Sequence, residues 1–167
     1  MYTKLKFAKT REGAVIPSKR AEDAGYDIYA CIPDTLVIMP HTTEIVPSGI
    51  AAAVEPDFCL ILQERGSTGT KGIAQRCGVI DSGYRGEIMV PLTNTTDLPV
   101  LLYNPATVSD TAVFFGAVYP IKYPTTKAIT QALVLPVPKV EVEEITYDEL
   151  LAIPSERGTG RLGSSGK

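Results

Sequence analysis

At 167 residues the chain has single-domain length and is long enough to bury its own core. A net charge of −3 excludes a broad basic surface, and with it a general nucleic-acid binder. No apolar run reaches the roughly 18 residues that span a bilayer, and residues 1–11 alternate apolar and polar types without a signal-peptide core, so no membrane segment or leader is expected.

Along the chain, 13 prolines and 14 glycines separate short β-rich runs. These runs fall at 2–7, 36–38, 44–54, 59–63, 87–92, 100–102, 112–121 and 129–137. Turn signals every 8–12 residues or so predict an all-β sandwich or barrel. Cys31, Cys59 and Cys77 form no CxxC pair, and one histidine, His41, cannot complete a zinc site. Reduced structural thiols in a cytoplasmic protein are expected. A single short helix is predicted over 146–151, where Thr146 and Glu149 have capping-box spacing.

Three segments carry candidate chemistry. Residues 64–73, ERGSTGTKGI, place Arg65, Ser67, Thr68, Thr70 and Lys71 among glycines, either as a surface turn or as a phosphate cradle. Residues 78–87, GVIDSGYRGE, read as a tight β-hairpin with Asp81 at its corner and Tyr84 three residues on. Asp81 either caps its own turn or lines a pocket mouth. The tail 155–167, SERGTGRLGSSGK, is too rich in Gly and Ser to order itself. It is either a frayed end or a flap that closes over an anion.

Taken in order, these segments resemble the trimeric dUTPase family. AGYDI at 24–28 is similar to its first motif, AGxDL, and ERGSTGTKGI to its second, which usually begins PRSG. GVIDSGYRGE resembles the third almost letter for letter, Ile129-Thr130-Gln131 stands at the IAQ of the fourth, and RGTGRLGSSG is similar to the fifth, RGxGGFGSTG. The departures are Gly66-Ser67 in place of Ser-Gly, Thr126-Lys127-Ala128 in place of Gly-Asp/Glu-Arg, and Leu162 in place of the phenylalanine over the base. Arg161 stands in place of a glycine and offers a charge to replace the arginine missing at 128. The link from the third to the fourth motif is longer than usual, which marks 95–128 as containing an insertion.

The resemblance implies a jelly-roll-like β-barrel or sandwich, residues 1–154, forming a homotrimer with active sites at subunit interfaces, and a C-terminal arm, 155–167, closing over the nucleotide. It implies hydrolysis of dUTP to dUMP and pyrophosphate with Mg²⁺. In that reading Asp81 is catalytic and Asp27 reaches the metal through water. Substrate contacts fall to Arg65, Gly66, Ser67, Gln75, Gly78, Val79, Ile80, Tyr84, Met89, Gln131, Arg157, Leu162, Gly163, Ser164 and Ser165. The backbone at 79–81 holds uracil, and Tyr84 packs under deoxyribose and leaves no room for a 2′-hydroxyl. His41, Cys77 and Lys71 are read as structural or solvated. Two alternatives remain. Some phage relatives use an insertion to engage a protein partner, which 95–128 could do. The related dCTP deaminases need a glutamate where this chain has Pro91, which can do no acid–base chemistry.

Overall fold

The computed structural model describes residues 3–76, 78–109 and 119–160. The chain forms two compact units, Met1–Val137 and Pro138–Lys167. Among the described residues the first is all β apart from one helical turn. Its strands are β1 (Leu5–Lys9), β2 (Tyr26–Tyr29), β3 (Thr35–Ile38), β4 (Thr43–Pro47), β5 (Ile50–Val54), β6 (Phe58–Gln63), β7 (Ile73–Gln75), β8 (Val79–Ile80), β9 (Met89–Asn94), β10 (Val100–Tyr103), β11 (Ile121–Pro124) and β12 (Ala128–Pro136). The helical turn is α1 (Gly66–Gly69). They assemble into four small sheets, ordered β1-β5, β11-β10-β3, β2-β12-β6-β8 and β4-β9-β7. This is the jelly-roll-like arrangement expected from the sequence.

Alternation builds the core. On β5, Ile50, Ala52 and Val54 turn inward, and on β9, Val90, Leu92 and Asn94 do the same. Of these, Ala52, Val90 and Leu92 meet Ile28, Ile38, Leu60, Leu62, Ile88 and Ile129 in one apolar cluster. Each such aliphatic side chain contributes roughly 1.5–3 kcal/mol on burial. β10 is buried along its whole length because it lies between β3, antiparallel, and β11, parallel.

Three sequence expectations need correction. The helix predicted at 146–151 is not alone, because the segment 64–73 contains the one-turn α1. The run 44–54 is two strands, broken at Ser48-Gly49. Gly49 has φ +68°, and a Cβ there would stand 2.7 Å from Ala14 Cβ and 2.9 Å from Cys31 Sγ, so only glycine fits. Ser48 fixes the corner: its hydroxyl donates to Ile88 O at 2.6 Å and accepts from Ile50 N at 3.2 Å. Nor is 78–87 a hairpin. The turn at 81–84 is present, with Tyr84 N donating to Asp81 O at 3.0 Å. But β8 pairs with β6, while β9 pairs with β4 and β7, so the turn carries the chain from one sheet to another. Most of the run 112–121 lies outside the described residues, as do Cys77 and 161–167.

The second unit contains α2 (Tyr147–Ala152), with the expected capping box. Thr146 Oγ1 accepts from Glu149 N at 3.2 Å, and Thr146 N donates to the Glu149 carboxylate at 2.8 Å.

Asn94 ends β9 with no exposure and with its amide saturated. Nδ2 donates to Ile38 O (3.0 Å) and Leu98 O (2.8 Å), and Oδ1 accepts from Thr96 N (2.9 Å) and Thr96 Oγ1 (2.8 Å). Asn94→Ala leaves these groups without partners, at a cost of about 3 kcal/mol. A fall in Tm of roughly 6–12 °C is expected by scanning calorimetry. A fall under about 2 °C would show that the amide is not the clasp described here.

Candidate active site

Two cavities collect the residues singled out in the sequence. The first, about 620 Å³, lies where β2, β12 and the turn after β6 come together, and it is lined by Asp27, Arg65, Gly66, Ser67 and Gln131 with the loop 18–25. Strand register explains the gathering. Gln131 sits opposite Asp27 on one side and Gln63 on the other, so β12 brings the fourth motif between the first and the second. Gln131 Nε2 donates to Glu64 O at 3.0 Å. Gly25 lies so close to Gln131 that a Cβ would come within 2.6 Å of its Oε1.

The cavity is strongly charged. Arg65 pairs with Asp27 through Nη1 and Oδ1. Its Nε is buried and has no hydrogen-bond partner among the described residues. Lys19 and Arg20, which sequence reading passed over, also line this cavity. Arg20 is paired with Asp23 at 3.0 Å, and Lys19 Nζ donates to Asp23 O at 2.7 Å. The adjacent basic pair just before AGYDI was the available signal.

The second cavity, about 190 Å³, is lined by Val79, Ile80, Asp81, Tyr84, Glu87 and Met89. Apolar surface is open here, with Val79 65% and Tyr84 44% exposed. The Tyr84 ring lies over Gly86, where a Cβ would meet Tyr84 Oη at 2.4 Å, and its hydroxyl donates to Glu87 O at 2.9 Å. The Glu87 carboxylate in turn accepts from Arg11 Nε at 2.8 Å and from Gly49 N at 2.8 Å. Glu87, quoted in the motif but given no role there, is therefore the anchor of this wall.

Gln75 lines neither cavity. Its side-chain amide contacts Thr130 Oγ1, and its backbone N–H donates to Glu64 Oε1 at 3.0 Å. Gly78 likewise lines neither cavity; its carbonyl accepts from Leu62 N at 2.7 Å. Arg157 belongs to the second unit, and Leu162, Gly163, Ser164 and Ser165 lie outside the described residues. Among the described residues, no three His, Cys, Asp or Glu side chains cluster as a metal cage.

A jelly-roll-like barrel with a charged cavity and a separate, partly apolar turn-built one defines an all-β protein with two candidate ligand sites. A sequence model described as dUTPase matches residues 11–105. A deoxyuridine 5′-triphosphate nucleotidohydrolase of Gloeobacter violaceus is 33% identical over 147 residues, covering 86% of this chain and 83% of that protein. The chain belongs to the dUTPase family. The dUTPase of Staphylococcus bacteriophage 80alpha, solved with dUpNHpp, superposes with a TM-score of 0.74 at 23% identity over 98% of this chain and 99% of that one. A mutant dUTPase from phage phi11 of S. aureus, in which coordination of a structural Mg(II) ion is described, matches with a TM-score of 0.66 at 18% identity over 85% of this chain and 96% of that one.

Glu87 generates a pH prediction. Burial pushes its carboxyl up, but hydrogen bonds from Arg11 and the Gly49 amide, with the Arg11 charge, outweigh burial and hold it below its ordinary value of 4.5. A depressed carboxylate contributes stability that is present above the unfolded pKa and lost as pH falls through the folded one. Glu87→Gln should therefore flatten the acid limb of the stability profile below about pH 5. Urea midpoints at a series of pH values check this. A parental slope in the variant would remove Glu87 from the account.

Proposed function

We infer that this chain is a dUTP diphosphatase, hydrolysing dUTP to dUMP and pyrophosphate, and so supplying dUMP while keeping uracil out of DNA. The observation that carries the reading is the charged cavity, where Asp27, Arg65, Ser67 and Gln131 converge from three motifs far apart in sequence. A triphosphate needs cationic donors, and Arg65, with Lys19 and Arg20 in the same lining, supplies them. The turn-built cavity suits the nucleoside. Backbone groups at Val79, Ile80 and Asp81 would pair with uracil, and Tyr84 would pack under the deoxyribose and exclude a 2′-hydroxyl. Polar pairing of this kind can reject the wrong base by roughly 10⁴–10⁵. Gly78, Met89 and Gln75 would act as neighbours of the base, Gln75 by way of its hold on Thr130.

In this reading Asp81 orients and deprotonates the attacking water. A carboxylate is a weak base near neutral pH, so most of the rate comes from positioning and electrostatics. Asp27 would hold Mg²⁺ through water, and the bound cation would supply charge neutralisation to the triphosphate. Asp27 and Asp23 are the carboxylates that line this cavity, and the lack of a protein cage among the described residues fits a cation that keeps its waters and binds chiefly through phosphates. The arm 155–167, with Arg157, Leu162, Gly163, Ser164 and Ser165, would close over the nucleotide and exclude water. Residues 1–154 form the catalytic body, read as cytoplasmic; no helix among the described residues is long and apolar enough to cross a membrane.

Sheet order supports active sites at the interfaces of a homotrimer. Asp27 lies on one edge strand of β2-β12-β6-β8, and Asp81 follows the strand on the opposite edge. Three strand spacings separate those edges by about 14 Å. One chain therefore presents the phosphate half and the nucleoside half of a site apart, and a second copy brings them together. Of the segment 95–128, β10 and Tyr123 of β11 are buried in this subunit's own core, which favours a structural role for these strands.

Asp81→Asn should abolish turnover, measured by pyrophosphate release, while largely preserving nucleotide binding. Turnover within about tenfold of the parent would sink the assignment. Asp27→Asn and Asp81→Asn chains, unfolded together and reassembled, should recover about a quarter of parental activity, because random assortment pairs two intact halves at that frequency. No recovery would place both carboxylates in a site made by one chain. Deleting 155–167 should lower kcat by about 10²-fold or more with the trimer intact, and parental kcat/KM would mark the tail as a frayed end.

A further inference from the structure

Tyr123 is fully buried, yet its hydroxyl reaches the wall of the charged cavity. Tyr123 Oη lies 2.7 Å from Ala128 O and 3.0 Å from Ser67 Oγ. The proton count has one solution. A carbonyl only accepts, so the single phenolic proton goes to Ala128 O. Tyr123 Oη can then only accept from Ser67, whose own single proton is committed inward. Ser67 is left with only lone pairs to offer the cavity, which the Asp27 carboxylate also lines. A triphosphate at neutral pH presents acceptors alone, and acceptor against acceptor repels. A hydrated divalent cation presents the opposite face, water hydrogens pointing outward.

We propose that Tyr123 is a positioning residue that fixes Ser67 as a hydrogen-bond acceptor, so that Ser67, with Asp27, receives the water shell of the cation carried by the triphosphate rather than a phosphate oxygen. This rests on the reading of the cavity as a cation–triphosphate site. It also gives the swapped order Gly66-Ser67 a consequence: the serine does not serve here as a phosphate donor. Tyr123 comes from the long link between the third and fourth motifs, so that link contributes to the site from behind.

The test is calorimetric titration with the non-hydrolysable dUpNHpp, once with Mg²⁺ and once with EDTA, on the parent, Ser67→Ala, Tyr123→Phe and the double variant. The readout is the ratio of metal-free to Mg²⁺ Kd, which a general loss of stability does not move. Ser67→Ala should lower this ratio by about fivefold by weakening only the Mg²⁺ titration, with metal-free affinity within about twofold of the parent. Tyr123→Phe frees the serine proton and should also lower the ratio, by tightening metal-free binding, and this change should vanish in the Ser67→Ala background. Weaker metal-free binding in Ser67→Ala would identify the serine as a phosphate donor and overturn the proposal. An unchanged ratio in Tyr123→Phe, or an equal change with and without Ser67, would overturn it too. Ser67→Ala decides the matter alone if Tyr123→Phe does not fold. A parent that binds no dUpNHpp with Mg²⁺ brings down the function reading and this inference together; a parent that binds it with the ratios unmoved brings down this inference alone.

Discussion

The register of β12 is the constraint from which the rest of the site follows. This nine-residue strand is hydrogen-bonded on both edges, to β2 and to β6. Side chains alternate with period two, so a slip of one residue would turn Gln131 away from Asp27 and put the wrong face of the strand into the core. An irregularity between Ala128 and Thr130 lets three consecutive residues, Ala128, Ile129 and Thr130, all be buried before regular alternation resumes. Thr130 is fully buried with its hydroxyl bonded to Gln63 O at 2.9 Å, which ties the strand to β6 beside the cavity. Core packing and site geometry are thus decided by the same few residues.

The second cavity is held differently. Its wall rests on Glu87, which joins Arg11, the Gly49 corner and the Tyr84 hydroxyl. The corner is narrow because Cys31 and Ala14 close against it, and burial keeps the Cys31 thiol above its ordinary pKa and so protonated. A polar clasp on an apolar corner holds a ring that faces outward. Such a ring is rigid without being covered, which suits a surface that a sugar or a neighbouring subunit must find already formed.

Much of this was legible in the sequence because it was local. Turn residues, β-branched runs and the Thr146–Glu149 box all depend on neighbours a few positions away, and the short strands and α2 follow from them. Strands β2, β7 and β11 were not legible: YDIY, IAQ and IKYP are short and mixed, and they become strands only through the partners that flank them. The hairpin reading failed for a related reason. A turn signal states that the chain reverses but not which strand each arm joins, and here β6 and β4 compete successfully for the two arms. For the site, Asp27, Arg65, Ser67 and Gln131 do meet, as do Val79, Ile80, Asp81, Tyr84 and Met89. Gln75 stands outside both groups because Thr130 holds its amide. Tyr123 gave no signal at all, since its role depends on a contact 56 residues away.

The parallel pairing of β10 with β11 has a consequence for how this fold can diverge. Val100↔Ile121 and Tyr103↔Pro124 fix both ends of the connection 104–120 inside a packed sheet. With the two anchor points immobile, lengthening the chain between them changes only closure entropy, about 0.6 kcal/mol for each doubling of length. A subunit built this way can change the length and sequence of that connection while its barrel and the register of β12 stay as they are. The connection is a socket in which new sequence can be tried at almost no thermodynamic risk.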